Sequence, residues 1–213
     1  MNPIDYSLYL VTAGGTPLAN VEQAIKGGVT LVQLREKDAG GNEFYASAIK
    51  HRQLTAKHGV PLIINDRVDI AMAVGADGVH VGQSDIPCAV ARKIMGDNKI
   101  VGVSATTLAQ AIKAEKDGAD YIGVGAMFAT TSKQDAAYVS IDELKRIRQH
   151  VNIPVVVIGG ITHETIPMFR GMGVDGFAMI SPILSNPKPM TAARKLRKQI
   201  SMIEKISEPC YNN

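Results

Sequence analysis

Gly75-Ala76-Asp77-Gly78, Gly118-Ala119-Asp120-Tyr121 and Gly173-Val174-Asp175-Gly176 repeat one pattern, and Gly27-Gly28-Val29-Thr30 is a weaker fourth copy. Each sits where a helical stretch turns into a strand, because glycine ends a helix by accepting a left-handed conformation. Working outward from these joints, eight short β-branched runs read as strands: Tyr9 to Thr12, Thr30 to Leu34, Leu62 to Asn65, Gly78 to Val81, Ile100 to Val103, Tyr121 to Val124, Val155 to Ile158 and Phe177 to Ile180. Between them, Asn20 to Lys26, Glu43 to His58, Leu108 to Asp117, Ile141 to Arg148 and Met190 to Ile203 carry apolar residues at helical spacing. Such alternation implies parallel strands joined by right-handed crossovers. The four joints precede the second, fourth, sixth and eighth strands, as a closed barrel of βα units places them. The expectation is therefore an α/β protein, a single (β/α)8 TIM barrel domain over residues 1–213. A six-stranded open doubly wound sheet is the rival, and it leaves two strands without a place.

A chain of 213 residues suits one sizeable core better than two. Its 23 basic and 20 acidic residues are scattered and sum to a net charge of +3, so no basic arm or stripe points to nucleic acid. Cys88 and Cys210 form no metal or redox spacing and fit a reducing compartment. Asp5 and the lack of basic residues before the first apolar run argue against a secretory signal. No apolar run approaches the roughly 20 residues needed to span a bilayer. A cytoplasmic protein without membrane partners is expected. Periodicity is lost after Ile203, which predicts a frayed tail from about residue 204.

Barrel enzymes gather their chemistry where strands end and βα loops begin, so polar residues there need a reason. Through Gln33-Leu34-Arg35-Glu36-Lys37 the period of two sends Gln33, Arg35 and Lys37 one way and Val32 and Leu34 the other. Two cations converging on a barrel mouth repel unless an anion is expected between them. The third and fourth strands end on Asn65-Asp66 and Gln83-Ser84-Asp85. Two rim carboxylates suit Mg²⁺, which is held by hard oxygens together with substrate phosphates. The same aspartates also suit N-caps of helices beginning near Arg67 and Pro87. Ser104 closes the fifth strand, and Thr130, Ser132 and Lys133 follow the sixth in a hydroxyl-rich loop able to wrap a phosphate and close over substrates. After the seventh and eighth strands, Gly159-Gly160-Ile161-Thr162 and Ile180-Ser181-Pro182 stand where barrels commonly hold phosphate, although Gly159 and Gly160 also suit a tight turn capped by Thr162. His80 has inward parity and, with Gln83, is a secondary candidate. His51, His58, His150 and His163 show no partners in the sequence and receive no chemistry.

Leu8-Tyr9-Leu10-Val11-Thr12, Gln33-Leu34-Arg35-Glu36-Lys37, Asn65-Asp66, Gly78-Val79-His80-Val81-Gly82-Gln83-Ser84-Asp85 and Ile158-Gly159-Gly160-Ile161 occur in this order. Together they resemble the thiamine phosphate synthase family from about Tyr9 to Ile183. The resemblance implies a Mg²⁺-dependent transferase that joins hydroxymethylpyrimidine diphosphate to hydroxyethylthiazole phosphate and releases diphosphate. It implies Asp66 and Asp85 as Mg²⁺ ligands, with Gln33, Arg35, Lys37, Asn65, Ser104 and Lys133 around the pyrimidine diphosphate. Of these, Arg35, Lys37, Ser104 and Lys133 would be catalytic. Thr130, Ser132, Gly160, Ile180 and Ser181 would grip the thiazole phosphate, the last three largely through backbone groups. A homodimer is also implied. Ala129 and Ser132 depart from the proline and threonine usual in that family, which predicts altered affinity in this loop. A thiazole tautomerase-like isomerase and a non-catalytic barrel binding phosphorylated thiazole are the alternatives; the basic trio with both aspartates argues against the first.

Overall fold

The alternating pattern closes on itself. The computed structural model describes residues 4–129 and 138–207, with side chains as far as residue 203. Eight parallel strands, β1 Leu8–Val11, β2 Leu31–Leu34, β3 Leu62–Asn65, β4 Gly78–Val81, β5 Ile100–Ala105, β6 Tyr121–Val124, β7 Val155–Ile158 and β8 Gly176–Met179, hydrogen-bond in sequence order. β8 returns to β1 with Tyr9 opposite Ala178, so the sheet has no edge and the open doubly wound alternative is excluded. The crossovers are helices α1 Leu18–Lys26, α2 Gly41–Lys57, α3 Val68–Ala73, α4 Cys88–Met95, α5 Leu108–Lys116, α6 Ile141–His150, α7 Ser181–Leu184 and α8 Pro189–Ser207, with a 3₁₀ turn at Ile166–Phe169. One barrel accounts for every described element. Among the described residues no helix is long and apolar enough to cross a membrane.

Strand parity divides the core in two. Leu8, Leu10, Val32, Leu34, Leu62, Ile64, Val79 and Val81 face the helices, while Tyr9, Val11, Leu31, Ile63, Tyr121, Val156 and Ala178 fill the barrel. Glycine inside a strand makes room for a large neighbour: a Cβ on Gly102 would lie 2.2 Å from the Tyr121 ring, its cross-strand partner.

The four joints owe their repetition to hydrogen bonding at the N-terminal rim. Asp77, Asp120 and Asp175 each turn a carboxylate back to accept an N–H at the start of the preceding strand, from Leu62, Val101 and Val155, at 2.8, 2.7 and 2.7 Å. In the weaker copy Thr30 Oγ1 takes the equivalent N–H of Leu8 at 3.1 Å. Arginines add a second donor: Arg52 of α2 pairs with Asp77 at 2.8 Å, and Arg92 of α4 pairs with Asp120. These groups would otherwise be unpaired N–H donors at a strand start, each costing about 1–3 kcal/mol.

The expected strands agree with those found to within a residue or two. The last helix differs at its end, since α8 extends to Ser207, past the Ile203 expected. Residues 208–213, including Cys210, lie outside the described part, and Cys88 is a buried free thiol on α4.

Candidate active site

At the C-terminal rim the strand ends enclose a cavity of about 530 Å³. From β2, Gln33 is buried inside it, while Arg35 and Lys37 rise along the same wall toward solvent. Thr12, at the end of β1, accepts the Arg35 N–H at 2.9 Å and fixes the strand where it leaves the barrel. Asn65 at the end of β3 and Asp66 just after it, His80 and Gln83 on and after β4, Asp85 beyond them and Ser104 at the end of β5 line the same space. Gly160 after β7 and Ile180 and Ser181 after β8 complete the opposite wall. The rest of the predicted set, Thr130, Ser132 and Lys133, lies outside the described residues.

Asp66 and Asp85 face each other. Neither caps a helix: α3 begins at Val68 behind Arg67, α4 begins at Cys88 behind Pro87, and neither start has a side-chain cap. The capping alternative is thereby removed. Asp66 adopts φ 62°, rare for a residue other than glycine, with its N–H held by the His80 carbonyl at 2.8 Å. Asp85 is aimed by the Gly82 N–H, which donates to Oδ2 at 2.7 Å. Burial, then the contact with Asp85, raises the Asp66 carboxyl from 3.8 to about 6, although Arg35 and Lys37 pull it down. Two acids pressed together against two cations form a site with competing charges, which is what a cation and an anion arriving together would balance. Among the described residues no cluster of three or more His, Cys, Asp or Glu is arranged as a metal cage. A pair of carboxylates is the donor set that Mg²⁺ uses when substrate oxygens and water complete its shell, so the residues fit that ion.

The loop after β6 is anchored to the loop after β7. Met127 N–H donates to the Ile158 carbonyl and Phe128 N–H to the Gly159 carbonyl, both at 3.0 Å. Gly160 has φ 63°, and a Cβ there would lie 2.7 Å from the Ala129 carbonyl oxygen. Glycine at this position is thus required by the neighbouring loop, a reason the sequence did not display. Thr162 caps no helix directly; its hydroxyl donates to Glu164 at 2.6 Å, and the 3₁₀ turn starts beyond Thr165.

Two buried tyrosines absent from the sequence-based set belong to the cavity. Tyr9 and Tyr121 are wholly buried at its floor, hydroxyl to hydroxyl at 2.8 Å, and connect Gln33 on one side with His80 on the other. Their inward parity and the glycine opposite Tyr121 were the available signals. The histidines also need correction. His51 is buried on α2, its Nδ1 bonded to the Ser47 carbonyl at 2.9 Å. His58 meets Glu22 at 3.2 Å, and His150 meets the Arg146 carbonyl at 2.7 Å. None of these three lines the cavity.

A family model described as thiamine monophosphate synthase matches residues 8–183, the span from β1 to α7. The thiamine-phosphate synthase of Clostridium beijerinckii is 52% identical over 205 residues, covering 94% of this chain and 98% of that protein. That of Methanobrevibacter smithii is 49% identical over 203 residues, covering 93% and 97%. Among solved structures, thiamine phosphate pyrophosphorylase from Pyrococcus furiosus superposes with a TM-score of 0.86 at 37% identity, covering 94% of this chain and 98% of that one. A 3-hexulose-6-phosphate synthase, at 21% identity and a TM-score of 0.68 over 90% of this chain, shares the fold.

Proposed function

The chain belongs to the thiamine monophosphate synthase family, a family of transferases, and we propose that it joins hydroxymethylpyrimidine diphosphate to hydroxyethylthiazole phosphate in a Mg²⁺-dependent reaction. The observation that carries this reading is the meeting of Arg35 and Lys37 with the Asp66 and Asp85 pair at one rim. Asp66 and Asp85 would hold the Mg²⁺, whose role when bound is to neutralise charge on the diphosphate oxygens.

The protein's own contribution is electrostatic and positional. The pyrimidine's amino group feeds electrons into the ring, so the methylene C–O bond can break first, its electron pair leaving with the diphosphate. The thiazole nitrogen then supplies the pair for the new C–N bond. Arg35 and Lys37 stand beside the acid pair where leaving-group charge would grow, and Lys133 is proposed to join them. Gln33, Asn65 and Ser104 would hold the pyrimidine, with Gln83 supporting Ser104 through a 2.7 Å bond from Nε2 to its carbonyl. Gly160, Ile180 and Ser181, with Thr130 and Ser132, would take the thiazole phosphate. No nucleophilic side chain is needed, because the attacking atom belongs to the second substrate.

The test is a turnover assay with both substrates, with and without Mg²⁺, on wild type, Asp85→Ala and Arg35→Ala. Each preorganised charge is worth about 3 kcal/mol, so either substitution should lower kcat by about a hundredfold. Near-normal turnover of the variants at saturating Mg²⁺ would refute the assignment. Binding of thiazole phosphate without diphosphate release by the wild type would favour an isomerase or a non-catalytic barrel.

A further inference from the structure

Five polar side chains from five different strands form one continuous chain across the cavity floor. Gln33 Nε2 donates to Tyr9 Oη at 2.7 Å, Tyr9 Oη lies 2.8 Å from Tyr121 Oη, Tyr121 Oη lies 2.9 Å from His80 Nδ1, and His80 Nε2 lies 2.9 Å from Ser104 Oγ. The proposed reaction draws on its two ends, Gln33 and Ser104, and leaves the middle unexplained. The middle is buried: Tyr9 is 1% exposed, Tyr121 is fully enclosed and His80 is 8% exposed. Burial holds both phenols above their ordinary value of 10, so each keeps its proton.

Proton counting restricts the chain. A phenol owns one proton and a neutral imidazole one N–H, so only two orders make every bond and also give every phenol proton an acceptor. In the first, Gln33 donates to Tyr9, Tyr9 to Tyr121, Tyr121 to His80 Nδ1, and His80 Nε2–H to Ser104. The Ser104 proton is then available to a ligand, as are the amide oxygen and second N–H of Gln33. In the second every direction reverses: the Gln33 amide turns over to present its oxygen to Tyr9, and Ser104 donates to His80. A mixed order leaves either a buried phenol proton without an acceptor or one link without a proton, at a cost of about 1–3 kcal/mol. Gln33 turns its amide nitrogen to Tyr9 Oη, and of the two fully bonded orders only the first has that end.

We infer that Tyr9, Tyr121 and His80 are positioning residues whose shared proton order locks the Gln33 amide, so that the pocket accepts an amino-substituted ring edge and rejects its oxo counterpart. A primary amide pairs with a heterocycle edge through one donor and one acceptor. An aminopyrimidine edge offers an exocyclic donor beside a ring acceptor, whereas the oxo ring in its lactam form offers an exocyclic acceptor beside a ring donor. Turning the amide over converts a match for one into a match for the other. With a free amide the turn is cheap, but here it requires either reversing four linked hydrogen bonds or leaving a buried phenol proton or link unpaired. This inference rests on the pyrimidine reading above and assigns the origin of its selectivity to residues that do not themselves touch the reacting atoms.

The experiment uses the full chain and two probes that cannot lose diphosphate, the aminopyrimidine methyl monophosphate and its 4-oxo analogue, each titrated by calorimetry. Wild type should prefer the amino probe by about a hundredfold or more, and Tyr121→Phe and Tyr9→Phe should each narrow that ratio about tenfold. Nitrogen NMR of the imidazole rings should show His80 as the Nε2–H tautomer in wild type and as a mixture in Tyr121→Phe. A purely structural role would weaken both probes alike and leave the tautomer unchanged. The two variants cut the chain at different points, so misfolding of one leaves the other to decide. An unaltered amino-to-oxo ratio in a folded variant, with His80 unmoved, overturns the inference while sparing the substrate reading. Failure of wild type to bind either probe sinks the substrate reading, and this inference with it.

Discussion

Replacing Asp66 by asparagine should stabilise the metal-free protein while abolishing its activity. Asp66 occupies φ 62°, which asparagine tolerates as well as aspartate, and the amide keeps the shape of the carboxyl. The substitution therefore removes charge with little change in packing. Burial, with Asp85 next in weight, raises the Asp66 carboxyl from 3.8 to about 6. A group whose folded value is raised contributes its full stability below the unfolded value of 3.8 and loses it as pH rises through about 6. The interval corresponds to about 3 kcal/mol at face value; the side chain is half-buried, and screening by water reduces this to about 1–1.5 kcal/mol. For a chain of this length, that is a rise in Tm of roughly 3–5 °C.

Calorimetric melts in EDTA at about pH 4 and about pH 7.5 test the reasoning, with Asp66→Asn equal to wild type at the first and higher at the second. Added Mg²⁺ should then lift the wild type and not the variant, because a ligand stabilises only the state that binds it. A variant that melts at or below wild type near pH 7.5, or by the same margin at both pH values, would show that the two carboxylates are not in conflict.

Three other outcomes follow from the same geometry. Asp120→Ala strips the acceptor from the Val101 N–H and from Arg92, so denaturant melts should show a loss of about 1–3 kcal/mol while the folded fraction retains full turnover. Burial, opposed by the Ser47 carbonyl and Glu36, holds His51 below its ordinary 6.5, so its contribution to stability fades as pH falls below that value; His51→Gln should flatten this acid slope, and an unchanged slope would count against it. Gly160→Ala places a methyl 2.7 Å from the Ala129 carbonyl oxygen at a φ of 63° and should raise KM for the thiazole phosphate by about tenfold or more, with less effect on kcat, in steady-state kinetics.

What could be read before folding was whatever depended on period and punctuation. Val32 and Leu34 against Gln33 and Arg35 is a period-two statement, and the structure honours it. The glycine joints located the helix-to-strand turns of four βα units, but the adjacent aspartates were silent about their bond to the preceding strand, because that partner lies 15 to 20 residues upstream. Asp66 and Asp85 were ambiguous for a physical reason. A residue before a helix looks the same whether its side chain turns to the helix N-terminus or to another acid, and only φ at Asp66 and the Gly82 contact separate the two. The Tyr9–Tyr121 bond spans 112 residues, beyond the reach of any local pattern. Beyond the inward parity of the two tyrosines, it left a trace in Gly102 opposite Tyr121, whose meaning needs the register of β5 and β6.

The same residue type serves opposite ends of this barrel in opposite ways. At the N-terminal rim Asp77, Asp120 and Asp175 accept strand N–H groups, and two of them arginines besides, so each carboxylate meets donors. At the C-terminal rim Asp66 meets Asp85, and the nearby Arg35 and Lys37 do not cancel the rise in its carboxyl. An acid that faces donors stabilises its charged form and the fold together; an acid that faces another acid stores unfavourable energy until a cation arrives. Asp66→Asn and Asp120→Ala should therefore shift Tm with opposite signs near neutral pH in EDTA. If both lowered it, the C-terminal acids would be structural, and the rim where the cavity opens would have lost its claim to be built for a metal and an anion.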